Sequence, residues 1–170
     1  VTGVQTCALP ISKSVSLARM LVSSLKSPSS ILISLSHKVE LDQQSLEGRL
    51  EPQECLTVLE YFSRSARLLG DDDRVTLRRL PFYLATHGGL IRLNDRKVYV
   101  LPVGIPRDGI NGLESELNIV FLEYRSSISE LFEFLALDCF SAVDFYCTFI
   151  LPKFSIFSEG ERESHLKYIR

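Results

Sequence analysis

Along this chain the spacing of apolar residues changes twice, from helical to strand-like and back to helical. Between Pro52 and Gly70, the residues Leu56, Leu59, Phe62, Ala66 and Leu69 recur three or four apart, which predicts a helix with one buried face. Pro52 suits a first helical turn, where its missing N–H is not needed, and Gly70 is placed to end the same helix. Asp71, Asp72 and Asp73 then crowd the start of a short second helix, where carboxylates meet the positive end of the helix dipole. Upstream, Ser27 to Ser30 around Pro28 interrupt the pattern and predict a loop or short linker within a loosely defined helical region, 12–50.

From residue 82 the period shortens. Phe82 to Thr86, Leu90 to Leu93 and Lys97 to Leu101 have the composition of short strands. His87-Gly88-Gly89 and the Asn94-Asp95 pair supply the turns between them, which predicts a small antiparallel sheet over 82–101. In the last of these strands Tyr99 and Leu101 point opposite to Val98 and Val100, so both faces are apolar and the strand is expected inside. PVGIPRDGINGL follows, with two prolines and three glycines in twelve residues, and 102–118 is expected to be an irregular loop. Ile119 to Leu122 is a candidate for one more strand.

Helical spacing returns after Ser126. Ser127 and Glu130 have capping-box spacing ahead of Ile128, Leu131, Phe132 and Leu135. Ser141 is placed to cap a further helix whose Ala142, Phe145, Tyr146, Phe149 and Ile150 form a wide aromatic stripe ending before Pro152. Ser158 and Glu161 form a second S-x-x-E box, opening a helix through Leu166 and Ile169 that reaches Arg170 without Gly, Asn or Pro to stop it. The fold class expected is therefore α+β, mostly helical, with a small central sheet: helices over 52–80, sheet 82–101, and helices again over 127–170. The uncapped last helix suggests a truncated fragment.

The opening eleven residues, VTGVQTCALPI, change how the rest is weighed. They match, residue for residue, the translation of a common sequencing-library adapter, and the next adapter base fits the serine codon of Ser12. Residues 1–11 are thus expected to be adapter-derived, and they also lack the charged start and long apolar run of a signal peptide. Without them the net charge stays at −2 and three cysteines remain, Cys55, Cys139 and Cys147. Scattered cysteines without a leader point to reduced thiols in a cytoplasmic protein. No stretch reaches the roughly 18 consecutive apolar residues of a membrane span. The near-neutral charge gives no reason to expect a nucleic acid or an anionic membrane as partner.

Candidate chemistry is sparse. His87-Gly88-Gly89 has the look of a lipase oxyanion loop, but no G-x-S-x-G elbow accompanies it, and a tight turn explains it as well. The three cysteines lie in or at the edges of amphipathic helices, where a small buried hydrophobe is the usual role. His37, His87 and His165 are far apart and show no metal-ligand spacing. Gly104, Gly109 and Gly112 match no phosphate-binding pattern. Arg64, Arg67, Arg74, Arg78 and Arg79 are offset by the neighbouring aspartates, so a solvated helix face is preferred to a nucleic-acid footprint. No catalytic, cofactor-binding or metal-binding residue is assigned.

The order of short motifs carries more. LRRLPFYLATHGGLIRLNDRKVYVLP, then IPRDGI, then FLEYRSSISELFEFLALDCFSAVDFYCTFILPKF and EGERESHLKYIR, resembles the repeat region of the sacsin family of giant chaperone-like proteins over about residues 51–170. The matching features are Leu80-Pro81-Phe82, Tyr99 to Pro102, Phe121-Leu122-Glu123, Leu131 to Leu135, Leu151-Pro152-Lys153 and Leu166 to Ile169. In that family each repeat carries a nucleotide-binding subdomain with an asparagine-bearing helix and a D-x-G-x-G loop, and a J domain with a His-Pro-Asp tripeptide occurs elsewhere. Asp108-Gly109-Ile110-Asn111-Gly112 lacks the loop spacing and the tripeptide is absent, so neither site is carried over.

The resemblance implies a partial repeat segment without catalytic activity or cofactor. It would contribute structure or client contacts within a larger chaperone or co-chaperone, its partners being the rest of such a chain, chaperone machinery and client proteins. Two alternatives stay open: a nucleotide-dependent or hydrolytic domain completed by upstream sequence, and an unrelated interaction module whose aromatic stripe is exposed to a partner.

Overall fold

The computed structural model describes residues 27–41 and 50–170. The adapter-like residues 1–11, Cys7, Met20 and most of the 12–50 region lie outside the described residues.

Among the described residues, seven α-helical segments surround two small sheets. Helix α1 spans Pro28–Leu41. The serine–proline stretch expected as a linker is its start: the Ser27 hydroxyl accepts the Ser30 N–H at 3.3 Å, and Pro28 occupies a first-turn position whose missing donor costs nothing. Helix α2, Pro52–Arg64, begins at the proline as expected but ends before Gly70, passing into a 3₁₀ turn at Ala66–Leu68. Gly70 instead precedes the first turn of α3, Asp71–Arg79, in extended conformation, and its N–H is taken by the Asp73 carboxylate at 2.9 Å. The aspartates thus sit at the positive helix end, with Asp73 also accepting from the Ser29 hydroxyl at 2.7 Å and so tying α1 to α3.

The strands pair differently from the expected meander. β1 (Tyr83–Leu84) and β2 (Leu90–Ile91) form an antiparallel hairpin closed by His87-Gly88-Gly89, with Gly88 at φ 89. β3, Lys97–Leu101, leaves that hairpin and pairs in parallel with β4, Ile119–Glu123, on one side and with β5, Asp138–Cys139, on the other. Parallel neighbours require a crossover. Part of the expected loop supplies it: within 102–118, residues Ile110–Leu117 form helix α4, between Gly109 at φ 74 and Asn118 at φ 51. Ile110, Leu113, Glu114 and Leu117 have helical spacing and turn inward, overriding the local density of proline and glycine.

After β4 a 3₁₀ turn at Ser126–Ile128 leads to α5, Ser129–Phe134. The Ser127/Glu130 box does not form, because the chain is already turning in 3₁₀ geometry at Ser127 and Ser129 opens the helix. β5 follows, then α6 at Ala142–Phe145, capped as expected by Ser141, whose hydroxyl accepts the Asp144 N–H at 3.1 Å. α6 widens into a π turn at Tyr146–Ile150 and tightens to 3₁₀ geometry over Leu151–Ile156, across Pro152. α7, Glu159–Ile169, carries the complete Ser158/Glu161 box, with Ser158 N–H to Glu161 Oε2 at 2.7 Å and Glu161 N–H to Ser158 Oγ at 3.4 Å.

The mixed α+β, predominantly helical class is what the chain adopts, with the parallel sheet as its dividing wall. Val98, Val100 and Leu122 belong to a core formed with α1, α2, α3, α5 and the hairpin. Tyr99, Leu101, Ile119 and Phe121 belong to a second core formed with α4, α6 and the segment through Phe157. Parallel strands covered on both faces need apolar residues in succession, and KVYVL and IVFLE provide them.

Candidate functional site

The motifs that carry the family resemblance converge in space at three points. At the first, the Glu123 carboxylate of FLEYR bridges two guanidinium groups. Arg107 Nη2 lies 2.7 Å from Oε1, and Arg125 Nη2 lies 3.1 Å from Oε2. This links the IPRDG loop to the end of β4. The arginines are partly exposed, so solvent weakens these pairs, and their main effect is to fix the loop's direction.

At the second, His165 of α7 is fully buried. Its Nε2 lies 2.9 Å from the Asp108 carbonyl, and its Nδ1 lies 2.8 Å from the Tyr146 hydroxyl. A carbonyl can only accept, so Nε2 donates and Nδ1 is left to accept from the tyrosine. One ring therefore joins α7, the loop before α4 and the π turn of α6, with both nitrogens satisfied. Burial, aided by stacked Tyr168, pushes the Tyr146 phenol up to about 12, so it remains a donor through neutral pH. Gly109 is required here: its φ of 74 suits glycine, and a Cβ would run into the Phe157 ring.

At the third, Glu114 of α4 is buried at 7% exposure. Its Oε1 accepts the Phe121 N–H of β4 at 2.6 Å and the Thr86 hydroxyl at 2.9 Å, while Oε2 lies 3.7 Å from His87 Nδ1. Sequence reasoning missed Glu114, although its place on the inward face of Ile110, Leu113 and Leu117 was a usable signal. The HGG stretch is the tight turn that competed with the oxyanion reading, with Gly88 N–H bonded to the Ala85 carbonyl at 2.9 Å.

The remaining candidates are dispersed. Cys55 is buried in the first core, and loss of solvation, with Glu54 adding negative charge, pushes its thiol up to about 12. Cys139 and Cys147 are exposed, contrary to the expectation of buried thiols: one lies on β5 and the other on the outer side of the π turn. Partial burial and the nearby Glu133 and Asp138 charges raise the Cys139 thiol. Among the described residues no group of three or more His, Cys, Asp or Glu is arranged to hold a metal ion. Arg64 pairs with Glu60 and Arg74 with Asp71, while Arg78 donates to the Asn94 side chain and the Leu135 carbonyl. No helix among the described residues is long and apolar enough to cross a membrane.

Comparison with known proteins finds human sacsin, 26% identical over 148 residues. The matched stretch takes in 86% of this chain but only 3% of sacsin. The chain is thus similar to a short region of a very long relative. No protein-family model matches it, and no solved structure does.

Proposed function

We propose that this chain is a non-catalytic structural or client-contact segment of a sacsin-like giant chaperone or co-chaperone, acting in protein folding and quality control in the cytoplasm. Its partners are the rest of such a chain and, through the intact protein, chaperone machinery and clients, with neither nucleic acid nor membrane among them.

One observation carries this. Four of the six motifs that carry the resemblance place residues in the two cores, whereas Leu151-Pro152-Lys153 and Leu166 to Ile169 lie largely at the surface. Leu80, Phe82, Tyr99, Val100, Leu101, Phe121, Leu122, Leu131 and Leu135 are buried, and Glu123 and His165 join separate elements. The aromatic stripe of the interaction-module alternative is buried as well, Phe145 at 0% and Phe149 at 6%, so it offers a partner no surface.

The test is ATP binding and hydrolysis by the purified chain. Neither is expected above a buffer blank, and turnover abolished by a single substitution would overturn the proposal in favour of a nucleotide-dependent domain.

A further inference from the structure

A cleft of about 240 Å³ opens between the β1–β2 turn, the β2–β3 turn and β4, lined by His87, Ile91, Arg92, Asp95, Arg96 and Val120. Its lining has two parts. Half-buried Ile91 gives the apolar surface, Val120 beside it being only 4% exposed. Around them stand two guanidinium groups and an imidazole, with Asp95 as the one carboxylate in the lining.

The walls are held by groups that do not enter the cleft. Glu114, fixed by the Phe121 N–H and the Thr86 hydroxyl, stands behind His87 on its Nδ1 side. The imidazole folds back over Gly89, where a Cβ would come within 2.9 Å of Nε2, so glycine is needed for this ring position. On the other side, Leu93 N–H donates to the Arg78 carbonyl at 2.9 Å, and Arg78 Nε donates to Asn94 Oδ1 at 3.3 Å, anchoring the β2–β3 turn to α3. A turn pinned from a helix reduces the ordering cost of binding.

We propose that this cleft binds a small ligand with an oxyanion, a carboxylate or a phosphate monoester, on a compact apolar body. Arg96 and His87, beside Arg92, meet the anion, because guanidinium and imidazole N–H groups give charge-assisted bonds to such oxygens. Ile91 meets the apolar body. This site is separate from the motif junctions at Glu123 and His165 and does not depend on the chaperone-segment proposal.

The experiment is an NMR titration of the intact 170-residue chain at constant ionic strength, following backbone amides and the histidine ring C–H signals. The probes are phenyl phosphate, benzoate and inorganic phosphate. Saturable shifts confined to the cleft residues are expected with phenyl phosphate or benzoate, at a Kd of about 1 mM or tighter. Which of the two binds more tightly distinguishes phosphate from carboxylate, and weaker binding of inorganic phosphate reports the contribution of the apolar body. Arg96→Glu and His87→Gln should each weaken binding about tenfold while the rest of the spectrum is unchanged. Two variants guard against one failing to fold. Linear, unsaturating shifts with all three probes, or binding that survives both substitutions, would overturn the proposal.

Discussion

On one face of the parallel sheet, Val98, Val100 and Leu122 share a mostly aliphatic core with Leu32, Leu35, Leu59 and Leu131, into which Phe62, Phe82, Tyr83 and Phe132 are also packed. Its aliphatic positions can exchange shape with modest loss. On the other, Tyr99 and Phe121 meet Phe145 and Phe149 with ring centroids 5.1 to 5.3 Å apart, mostly edge to face. Beside that aromatic cluster sits a buried histidine with both nitrogens bonded. The same strands therefore serve two kinds of core. The mostly aliphatic one, which has its own buried Tyr83 hydroxyl bond to the Leu77 carbonyl, depends mainly on volume. The aromatic one adds a cluster of mutually oriented rings and the histidine latch, so their ring and aliphatic positions should differ in how sharply they respond to substitution.

The largest effects are expected on the aromatic face. Phe121→Ala removes a fully buried ring that touches Tyr99, Phe145 and Phe149, and should cost about 3 to 5 kcal/mol in urea unfolding. Leu35→Ile, equally buried on the aliphatic face, should cost less than about 1.5 kcal/mol by the same measurement. The matched comparison is Phe121→Leu, which changes side-chain shape as Leu35→Ile does and should cost more than it; equal losses from that pair would erase the distinction between the faces.

Next comes the latch. Tyr146→Phe keeps the ring packing but leaves His165 Nδ1 buried without its donor, at an expected cost of about 1 to 3 kcal/mol. A loss near zero would mean that the hydrogen bond contributes nothing beyond shape, and the aromatic face would then rest on packing alone.

A smaller, pH-dependent effect belongs to the aliphatic face. In the unfolded chain the Cys55 thiol ionises near its ordinary value of 9.0, whereas in the fold burial holds it protonated up to about 12. The unfolded state alone releases that proton in between, so stability is full below pH 9 and falls as pH rises toward 12. The slope approaches about 1.4 kcal/mol per pH unit. Tyr83 and Tyr146 are also raised from 10.0 and steepen the loss above that pH, and Cys139 is raised from 9.0 as well, so the Cys55 contribution is the part of the slope between pH 9 and 10 that its replacement removes. Denaturation midpoints should fall less steeply over that interval in Cys55→Ala, and an unchanged slope would assign the effect elsewhere.

The helices with strong local signals were legible in the chain. Pro52 marks the start of α2, Ser158 with Glu161 opens α7, and the Phe145/Phe149 spacing gives the buried stripe of α6 and the π turn that continues it. What escaped depends on distant partners. KVYVL has the same alternation whether its neighbour is antiparallel or parallel, and only β4 and β5, brought back by crossovers, decide between them. Helix α4 was hidden because Gly109 and Gly112 punctuate it, although packing of Ile110 and Leu113 outweighs their low propensity. The site residues were harder still. Glu114 and His165 are polar side chains whose burial is possible only because β4, the β1–β2 turn, α6 and the Asp108 carbonyl supply their hydrogen bonds.

Native-state hydrogen exchange across both cores tests most directly the claim that one sheet unites them. Amides of β3 and β4 should be the slowest, and those of α2 on the aliphatic side and of α6 on the aromatic side should open with the same free energy and the same denaturant dependence. If α6 and α7 exchange through a separate opening while β3, β4 and α2 stay protected, the aromatic face is an independent layer and the shared-wall account is contradicted.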